Sequence, residues 1–278
     1  MFVEPFVGFA LGDAFGAVFE GLSENEVKIR LKYFEKKGKI VSCLTDDTIQ
    51  MLTLAKSLIS TIYFNPSDFA DRLKEVEISR IGPTSSKAIE RLRLGYSWRD
   101  SGINSNTCGS AMRVMPIGLL YSFNSNLVEE YAVLQSIITH KNKEAIAASV
   151  ALALAYSYVF RNKQSKLEQI VDRVREYDVY TSILIERALD GEYVYKCTNL
   201  AFDVVSTAIQ CYLYSENYSD CILNSVKYGG DTDSIAAIAG GLKALECKPE
   251  LPFELDVDGL DEVKNTAKNL WKVYKFIR

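Results

Sequence analysis

The 278-residue sequence has little histidine and no paired cysteine motif. His140 is the only histidine, and none of the six cysteines forms a CxxC pair. Zinc sites are built from clusters of His and Cys, so the sequence argues against zinc. The N-terminus has no basic segment, and Glu4 and Asp13 bracket its short apolar run, which is not typical of a secretory signal. We therefore expect reduced, mostly buried thiols in a cytoplasmic protein.

The chain also lacks a basic excess and a long apolar run. Its net charge is −4 and its pI is near 5.3, whereas phosphate-binding surfaces usually carry an excess of Lys and Arg. The longest uncharged stretch, 145–160, is shorter than the roughly 20 residues that a membrane span needs. The sequence therefore argues against nucleic acid and a membrane as partners, and it predicts a buried helix at 145–160.

Strand patterns and linkers are scarce, and helical periodicity dominates. Residues 39–44, KIVSCL, are the best strand candidate, and only six prolines are scattered along the chain. Apolar residues recur at three- and four-residue spacings after Thr48, within 146–158 and within 235–245. The prediction is an all-α fold, a compact helical bundle in which residues 1–278 form a single domain.

Two distant segments each place two carboxylates at the predicted start of an apolar helix. They are 45-TDDT-48, before a helix expected to run to about residue 62, and 231-DTDS-234, which follows two glycines. One interpretation is a pair of helix caps, with acidic residues favoured by the helix dipole. The other is a metal site, because four carboxylates brought together would repel one another unless hard cations such as Mg²⁺ or Mn²⁺ lay between them. Spacing alone does not decide between them.

The N-terminal segment 8–21 adds a third polar element. Gly8, Gly12 and Gly16 recur every four residues, which predicts a helix with one bare face suited to close approach of another helix. Asp13 and Glu20 are seven residues apart and would share nearly one face of that helix. They are interpreted either as two surface acids or, for Glu20 together with the other clusters, as a carboxylate that projects towards a site.

Five motifs follow one another in a recognisable order. They are the GDAFGAVFE opening at 12–20, TDDT at 45–48, GSAMRVMPIGL at 109–119, Thr139-His140 before an alanine-rich helix, and GGDTDSIAAIAGG at 229–241. Together they resemble the ADP-ribosylglycohydrolase family over about residues 8–245. The resemblance implies an all-α hydrolase that uses two magnesium or manganese ions to cleave the glycosidic bond between ADP-ribose and an acceptor. The partner is then an ADP-ribosylated protein or a small molecule that contains ADP-ribose.

The same resemblance assigns roles to individual residues. Glu20 is expected near the metals and the ribose, and segment 105–113 is expected to wrap the diphosphate or adenosine side. For Arg113 the alternatives are pairing with an acid or phosphate and a purely structural burial, and for His140 they are a helix cap and an orienting side chain. The implied metal ligands are Thr45, Asp46, Asp47, Asp231, Asp233 and Ser234, the implied catalytic carboxylates are Glu20, Asp47 and Asp231, and the implied substrate-binding residues are Asn106, Gly109, Ser110, Met112, Arg113 and His140.

One position departs from the family pattern. Members that act on ADP-ribosylarginine carry an acidic residue in an Asp-Ile-Gly-x-Thr-Thr stretch, and here 80-RIGPTS-85 has Arg80 in its place. Proton transfer would then fall to Glu20 or to a water activated by the metals, and the arginine acceptor is put in doubt. Two other functions remain open: a non-catalytic ADP-ribose-binding or crystallin-like structural protein, and a two-metal hydrolase of another substrate such as a phosphoester.

Overall fold

The computed structural model describes residues 1–77, 80–193, 195–251 and 253–278, and these residues form an all-α fold as predicted. Within them the chain forms fourteen α-helices. In chain order these are α1 Val3–Gly16, α2 Glu24–Lys37, α3 Asp46–Thr61, α4 Pro66–Glu75, α5 Pro83–Arg93, α6 Met115–Leu120, α7 Ser125–Ile137, α8 Lys143–Phe160, α9 Gln169–Arg175, α10 Val179–Leu189, α11 Ala201–Leu213, α12 Tyr218–Val226, α13 Thr232–Lys243 and α14 Leu260–Ile277.

Two short strands complete the secondary structure of the described residues. β1, Lys39–Val41, pairs in parallel with β2, Glu254–Asp256, so that Ile40 lies opposite Leu255. The predicted strand at 39–44 is thus confirmed for its first three residues. It ends there because residues 42–45 lead into the first turn of α3, which begins at Asp46.

The predicted glycine face of α1 packs directly on α13. A Cβ atom at Gly12 would lie 2.1 Å from the carbonyl oxygen of Ala236, and one at Gly16 would lie 2.2 Å from that of Thr232. Only a hydrogen side chain lets the two backbones approach this closely. The contact matters for the site because α13 begins at Thr232, beside its carboxylates.

Glu20 does not lie on the same helix face as Asp13, contrary to the prediction. α1 ends at Gly16, and residues 17–21 form turns in which the Phe19 amide donates to the Gly16 carbonyl. The chain leaves the helix here and reverses at Gly21, which has a φ of 72°. The two carboxylates therefore have different environments, and Asp13 is fully buried.

α8 is the central apolar helix. It is long and apolar enough to pass a test for a membrane span, yet 78% of that stretch is buried inside the protein, which confirms the predicted buried helix at 145–160. Tyr156 anchors α8 to α13 by donating its hydroxyl hydrogen to the carbonyl of Ile238 at 2.9 Å. The largest apolar cluster contains residues of α1, α3, α6, α8, α13 and α14, so the helices that carry the candidate site share one core.

Candidate active site

The starts of α3 and α13 meet at one cavity of about 800 Å³, a size typical of small-molecule sites. The turn after α1, the loop before α5, the loop before α6 and the loop before α11 complete its walls. Of the residues implied by the sequence, ten line the cavity: Glu20, Thr45, Asp46, Asp47, Gly109, Met112, His140, Asp231, Asp233 and Ser234. Two acid clusters separated by more than 180 residues in sequence are thus brought together.

The start of α3 is held by Asp13 of α1. The backbone N–H of Thr45 and that of Thr48 donate to Asp13 Oδ2 at 3.0 and 3.2 Å, and the Thr45 hydroxyl donates to Oδ1 at 2.7 Å. Thr45 is itself the helix cap, since its Oγ1 accepts from the Asp47 amide at 3.2 Å. The carboxylates of Asp46 and Asp47 are therefore not needed as caps.

The start of α13 follows two glycines in the left-handed region. Gly229 and Gly230 have φ values of 75° and 81°, and a Cβ atom at Gly229 would lie 1.8 Å from the Leu22 carbonyl oxygen. Asp231 occupies the N-cap position, yet its side chain makes no capping hydrogen bond. Its Oδ2 instead accepts from the Cys108 thiol at 3.1 Å. The helix-cap interpretation thus fails for Asp231, whose carboxylate lines the cavity.

Burial and mutual repulsion raise the pKa values of the clustered carboxyl groups. Burial raises the pKa of Asp46 to about 6, with a smaller contribution from Asp13. Burial first, and the charge of Asp233 next, raise the pKa of Asp47 well above its usual range. Burial and the neighbouring Asp231 do the same for Asp233. These carboxylates are close enough to affect each other's ionisation, as the metal interpretation requires.

One carboxylate oxygen stands out. Asp47 is 2% exposed, and its Oδ1 has no hydrogen-bond partner among the residues that the structure describes. A buried carboxyl oxygen without a partner is costly, and it usually marks a bound water or ion. Within the described ranges, however, no group of three or more His, Cys, Asp or Glu side chains could by itself hold a metal ion as placed.

Glu20 and Arg80 lie at the same cavity. Partial burial and the charge of Asp231 raise the pKa of Glu20, and the charge of Arg80 opposes the rise. Arg80 is exposed and lines the cavity, so the residue that departs from the family pattern faces the space where a substrate would bind.

Three residues predicted to bind substrate lie elsewhere. Arg113 is fully buried, does not line the cavity and makes its hydrogen bonds to Gln50, Gln135 and Thr139. Ser110 is also buried, and its hydroxyl accepts from Ser136. Asn106 donates its amide to Glu144 at 2.7 Å. None of the three is among the residues that line the cavity, so they support the wall rather than form its surface.

His140 lies in the wall with its ring against Gly109. A Cβ atom at Gly109 would lie 2.8 Å from His140 Cε1, which explains the glycine at this point. Nδ1 contacts Thr139 Oγ1 at 2.8 Å, and Nε2 contacts Thr107 Oγ1 at 3.0 Å. Burial and the nearby Arg113 lower the pKa of His140 to about 3, so the ring is neutral at physiological pH. It does not cap α8, because the N-cap of that helix is Asn142.

Sequence reasoning missed several residues of this region. The sequence predicts Asp13 only as one of two acids on a helix face, and it does not single out Gln50, Cys108 or Tyr195 as site residues. Tyr195 accepts from the Asp231 amide at 3.2 Å, and Gln50 donates to Asp46 Oδ2 at 2.9 Å. Gln50 lies four residues after Asp46, on the same helix face, and this spacing was the one available signal.

Comparisons with known proteins agree with the fold. The sequence profile of the ADP-ribosylglycohydrolase family matches residues 2–275. An uncharacterized protein of Archaeoglobus fulgidus is 42% identical, over 85% of this chain and 84% of its own length. ADP-ribosylhydrolase ARH3 of Xenopus tropicalis is 28% identical, over 96% and 94%. The ADP-ribosyl-(dinitrogen reductase) glycohydrolase of Rhodospirillum rubrum is 26% identical, over 85% and 82%.

A solved structure, described as an ADP-ribosylglycohydrolase-related protein complex, aligns with a TM-score of 0.77 at 22% identity, over 98% of this chain and 97% of the other. The architecture is therefore that of the compact all-α ADP-ribosylglycohydrolase fold. With the profile match over nearly the whole sequence, the chain belongs to the ADP-ribosylglycohydrolase family. Membership supports hydrolysis of a glycosidic bond of ADP-ribose.

Proposed function

We propose that this protein is a hydrolase that depends on two Mg²⁺ or Mn²⁺ ions and releases ADP-ribose from an acceptor on a protein or small molecule. The proposed metal dependence rests on carboxylate oxygens that the helix starts do not need for capping. Thr45 rather than an aspartate caps α3, Asp231 makes no capping bond, and Asp47 Oδ1 is buried without a partner. Negative charge that the fold does not use for its own hydrogen bonds is available to cations.

The donor set suits these ions. Mg²⁺ takes oxygen ligands and keeps several waters, so one or two carboxylates for each ion are enough. The described residues contain no group of three acidic, His or Cys side chains placed to hold an ion, so waters and hydroxyl oxygens would have to complete each coordination sphere. The ligands would come from Thr45, Asp46, Asp47, Asp231, Asp233 and Ser234, all of which line the cavity. When bound, the ions would supply Lewis acidity, which orients ribose hydroxyls and activates a water for attack on the anomeric carbon.

Glu20 is the residue that we assign to proton transfer. It lines the cavity, and its pKa is raised by partial burial and by Asp231. A carboxyl group with a raised pKa retains its proton closer to neutral pH, which suits donation to a leaving group and return from the attacking water. The positive charge of Arg80 opposes this rise in the pKa of Glu20.

The charge of Arg80 affects which acceptor the site prefers. An arginine acceptor leaves as a guanidine that carries a positive charge near Arg80, whereas an O-linked ester or a phosphate leaves as a neutral or anionic group. We infer that O-linked or phosphorylated ADP-ribose is preferred to N-linked ADP-ribosylarginine.

The test is release of free ADP-ribose by the purified protein. The substrates are ADP-ribosylated arginine, ADP-ribosylated serine, O-acetyl-ADP-ribose and an ADP-ribosylated nucleic-acid end, each with Mg²⁺, with Mn²⁺ and with EDTA. We expect release from at least one substrate with metal and none with EDTA. Release that is equal with metal and with EDTA would exclude the metal dependence. Binding of ADP-ribose without any release would favour the non-catalytic alternative.

A further inference from the structure

Arg113 is a buried cation whose hydrogen-bond partners in the described chain are neutral oxygens. Its guanidinium donates to Gln135 Oε1 at 2.8 Å, to Gln50 Oε1 at 2.7 Å and to Thr139 Oγ1 at 2.8 Å, with a further bond to the Gln135 carbonyl at 2.9 Å. The side chain is 0% exposed and its ring of partners includes no carboxylate. Removing a guanidinium from water is costly, and packing alone would be served by an apolar side chain.

One series of hydrogen bonds runs from Arg113 through Gln50 to Asp46, and we call it the Asp46 arm. Because a guanidinium can only donate, the Gln50 oxygen must face Arg113, and the amide NH₂ must face the other way. That NH₂ donates to Asp46 Oδ2 at 2.9 Å. Arg113 thus sets the orientation of the Gln50 amide, and the amide in turn holds one oxygen of Asp46, a residue that lines the cavity.

A second series of contacts, the His140 arm, runs from Arg113 through Thr139 to His140. Thr139 Oγ1 accepts from Arg113 and contacts His140 Nδ1 at 2.8 Å. If Nδ1 carried the proton, Thr139 would accept twice and its own buried hydroxyl hydrogen would have no acceptor, which is unfavourable. If Nδ1 is bare, Thr139 donates to it and every group is satisfied. The ring proton is then on Nε2, which donates to Thr107 Oγ1 at 3.0 Å.

We propose that Arg113 is a positioning residue that fixes two walls of the cavity at once, by orienting Asp46 through Gln50 and by holding His140 as the Nε2–H tautomer through Thr139. With His140 donating to Thr107, the Thr107 hydroxyl hydrogen is available to Ser105 Oγ at 3.2 Å, to Thr84 Oγ1 at 3.4 Å or to an oxygen of a bound ligand. This arrangement makes Thr107, which lines the cavity, a hydrogen-bond donor. Its value for catalysis rests on the proposed function, but the geometry can be tested without activity.

The tautomer is measurable because His140 is the only histidine in the chain. Nitrogen-15 imidazole NMR of the intact protein gives one pair of ring resonances. We expect a protonated Nε2 and a bare Nδ1 throughout pH 5–8. Thr139→Val removes the hydroxyl that donates to Nδ1, so the Nδ1 resonance should move towards that of a ring nitrogen without a hydrogen bond, and Thr139→Ser should restore the original signals. A wild-type ring protonated at Nδ1 would overturn the His140 arm.

The Asp46 arm has its own measurement, titration calorimetry with Mn²⁺ alone. Gln50→Leu should weaken Mn²⁺ binding by about tenfold or more, as loss of a group that orients a ligand usually does, and should leave the His140 tautomer unchanged. Thr139→Val should change the Nδ1 resonance of His140 and leave Mn²⁺ affinity unchanged. Thr207→Val is the matched control, since Thr207 is a buried hydroxyl that only donates to Asp203 O within α11. It should change neither readout.

Arg113→Lys tests whether Arg113 supports both arms, because an ammonium lacks the planar guanidinium that donates to Gln50 and Thr139 together. If it folds, both the tautomer and Mn²⁺ affinity should change; no change in either would overturn the proposal. If it does not fold, the opposite effects of Gln50→Leu and Thr139→Val decide, and a Gln50→Leu protein with Mn²⁺ affinity within twofold of wild type would refute the Asp46 arm.

Failure of the inference is distinguishable from failure of the proposed function. ADP-ribose release by a wild-type protein whose His140 is protonated at Nδ1 would refute the inference alone. A protein that shows the expected tautomer but binds no Mn²⁺ and releases no ADP-ribose would refute the proposed function and the Asp46 arm. The His140 arm would still stand.

Discussion

The Asp13 carboxylate accepts hydrogen bonds from the backbone amides of both Thr45 and Thr48, so a residue of α1 holds the first turn of α3. The same helix α1 packs its glycine face on α13. One helix therefore sets the positions of both acid clusters, and this dual contact is the structural reason why they meet.

Asp231→Ala is expected to abolish metal-dependent ADP-ribose release while the protein remains folded. Asp231 lines the cavity and makes no capping bond, so its loss removes a proposed ligand without removing a helix cap. Activity assays and calorimetry with Mn²⁺ measure the effect. Asp261→Ala, on a side chain that is 97% exposed, serves as the control and should behave as wild type. Retention of two ions at wild-type affinity in Asp231→Ala would show that the ligand assignment is wrong.

Mg²⁺ or Mn²⁺ should raise the melting temperature, and EDTA should reverse the rise. The clustered carboxylates raise one another's pKa values in the metal-free protein, and cations relieve that repulsion. Binding to the native state alone adds about 2.7 kcal/mol at a free metal concentration 100 times the Kd. Thermal unfolding followed by circular dichroism measures the shift. A curve that is indifferent to metal and chelator would revive the interpretation of these aspartates as simple helix-start acids.

The metal-free protein should become less stable as the pH rises from 5 to 8. Burial raises the pKa of Asp13 and that of Asp46 from 3.8 to about 6. In this window the native state binds protons that the unfolded chain has already released, so the free energy of unfolding falls with increasing pH. His140, with its pKa lowered to about 3, acts in the opposite direction, but it is one group against the raised carboxyl groups of Asp13, Asp46, Asp47 and Asp233. Carboxyl groups with ordinary pKa values have finished titrating by about pH 5.

Melting temperatures measured in EDTA at several pH values test this dependence. Asp46→Asn should reduce the slope, because it removes one of the groups that take up a proton in the native state. Saturating Mg²⁺ should also reduce it. A melting temperature that rises steadily from pH 5 to 8 in the chelated protein would contradict the assignment.

Gly12→Ala should destabilise the protein by about 3 kcal/mol, the upper end of the usual range for overpacking. The new methyl group would lie 2.1 Å from the carbonyl oxygen of Ala236, a backbone atom that cannot move aside without shifting α13. Denaturant titration gives the free energy of unfolding. Gly82→Ala is the control, since its methyl group would meet nothing within 4 Å and its φ is −58°. Equal stability of the two variants would mean that the α1–α13 contact is looser than described.

Arg80→Asp should increase kcat/KM for ADP-ribosylarginine relative to an O-linked substrate, by about fivefold for each kcal/mol of repulsion removed. Arg80 lines the cavity and its charge already affects Glu20. Arg187→Asp on α10 makes the same change of charge on an exposed residue that does not line the cavity. If the preference between substrates is the same in wild type and Arg80→Asp, Arg80 has no role in acceptor choice.

Much of the fold could be predicted from the sequence because it depends on local patterns. Three-four periodicity predicted the helices around α3, α8 and α13, and the glycines of α1 predicted a close helix partner. The positions of helix ends were harder to predict. Glu20 was placed on a helix that in fact ends at Gly16, because the seven-residue spacing carries no sign of the turn that begins there.

The sequence by itself determined the kinds of chemistry available: oxygen ligands instead of His and Cys, acid pairs at helix starts, and motifs in a family order. Which of those groups face the cavity was decided by tertiary structure. Arg113 shares a motif with Gly109 and Met112, yet the chain turns it inward to Gln50 and Thr139, while the other two line the cavity. Burial and long-range hydrogen bonds depend on residues far apart in sequence, so no local pattern specifies them.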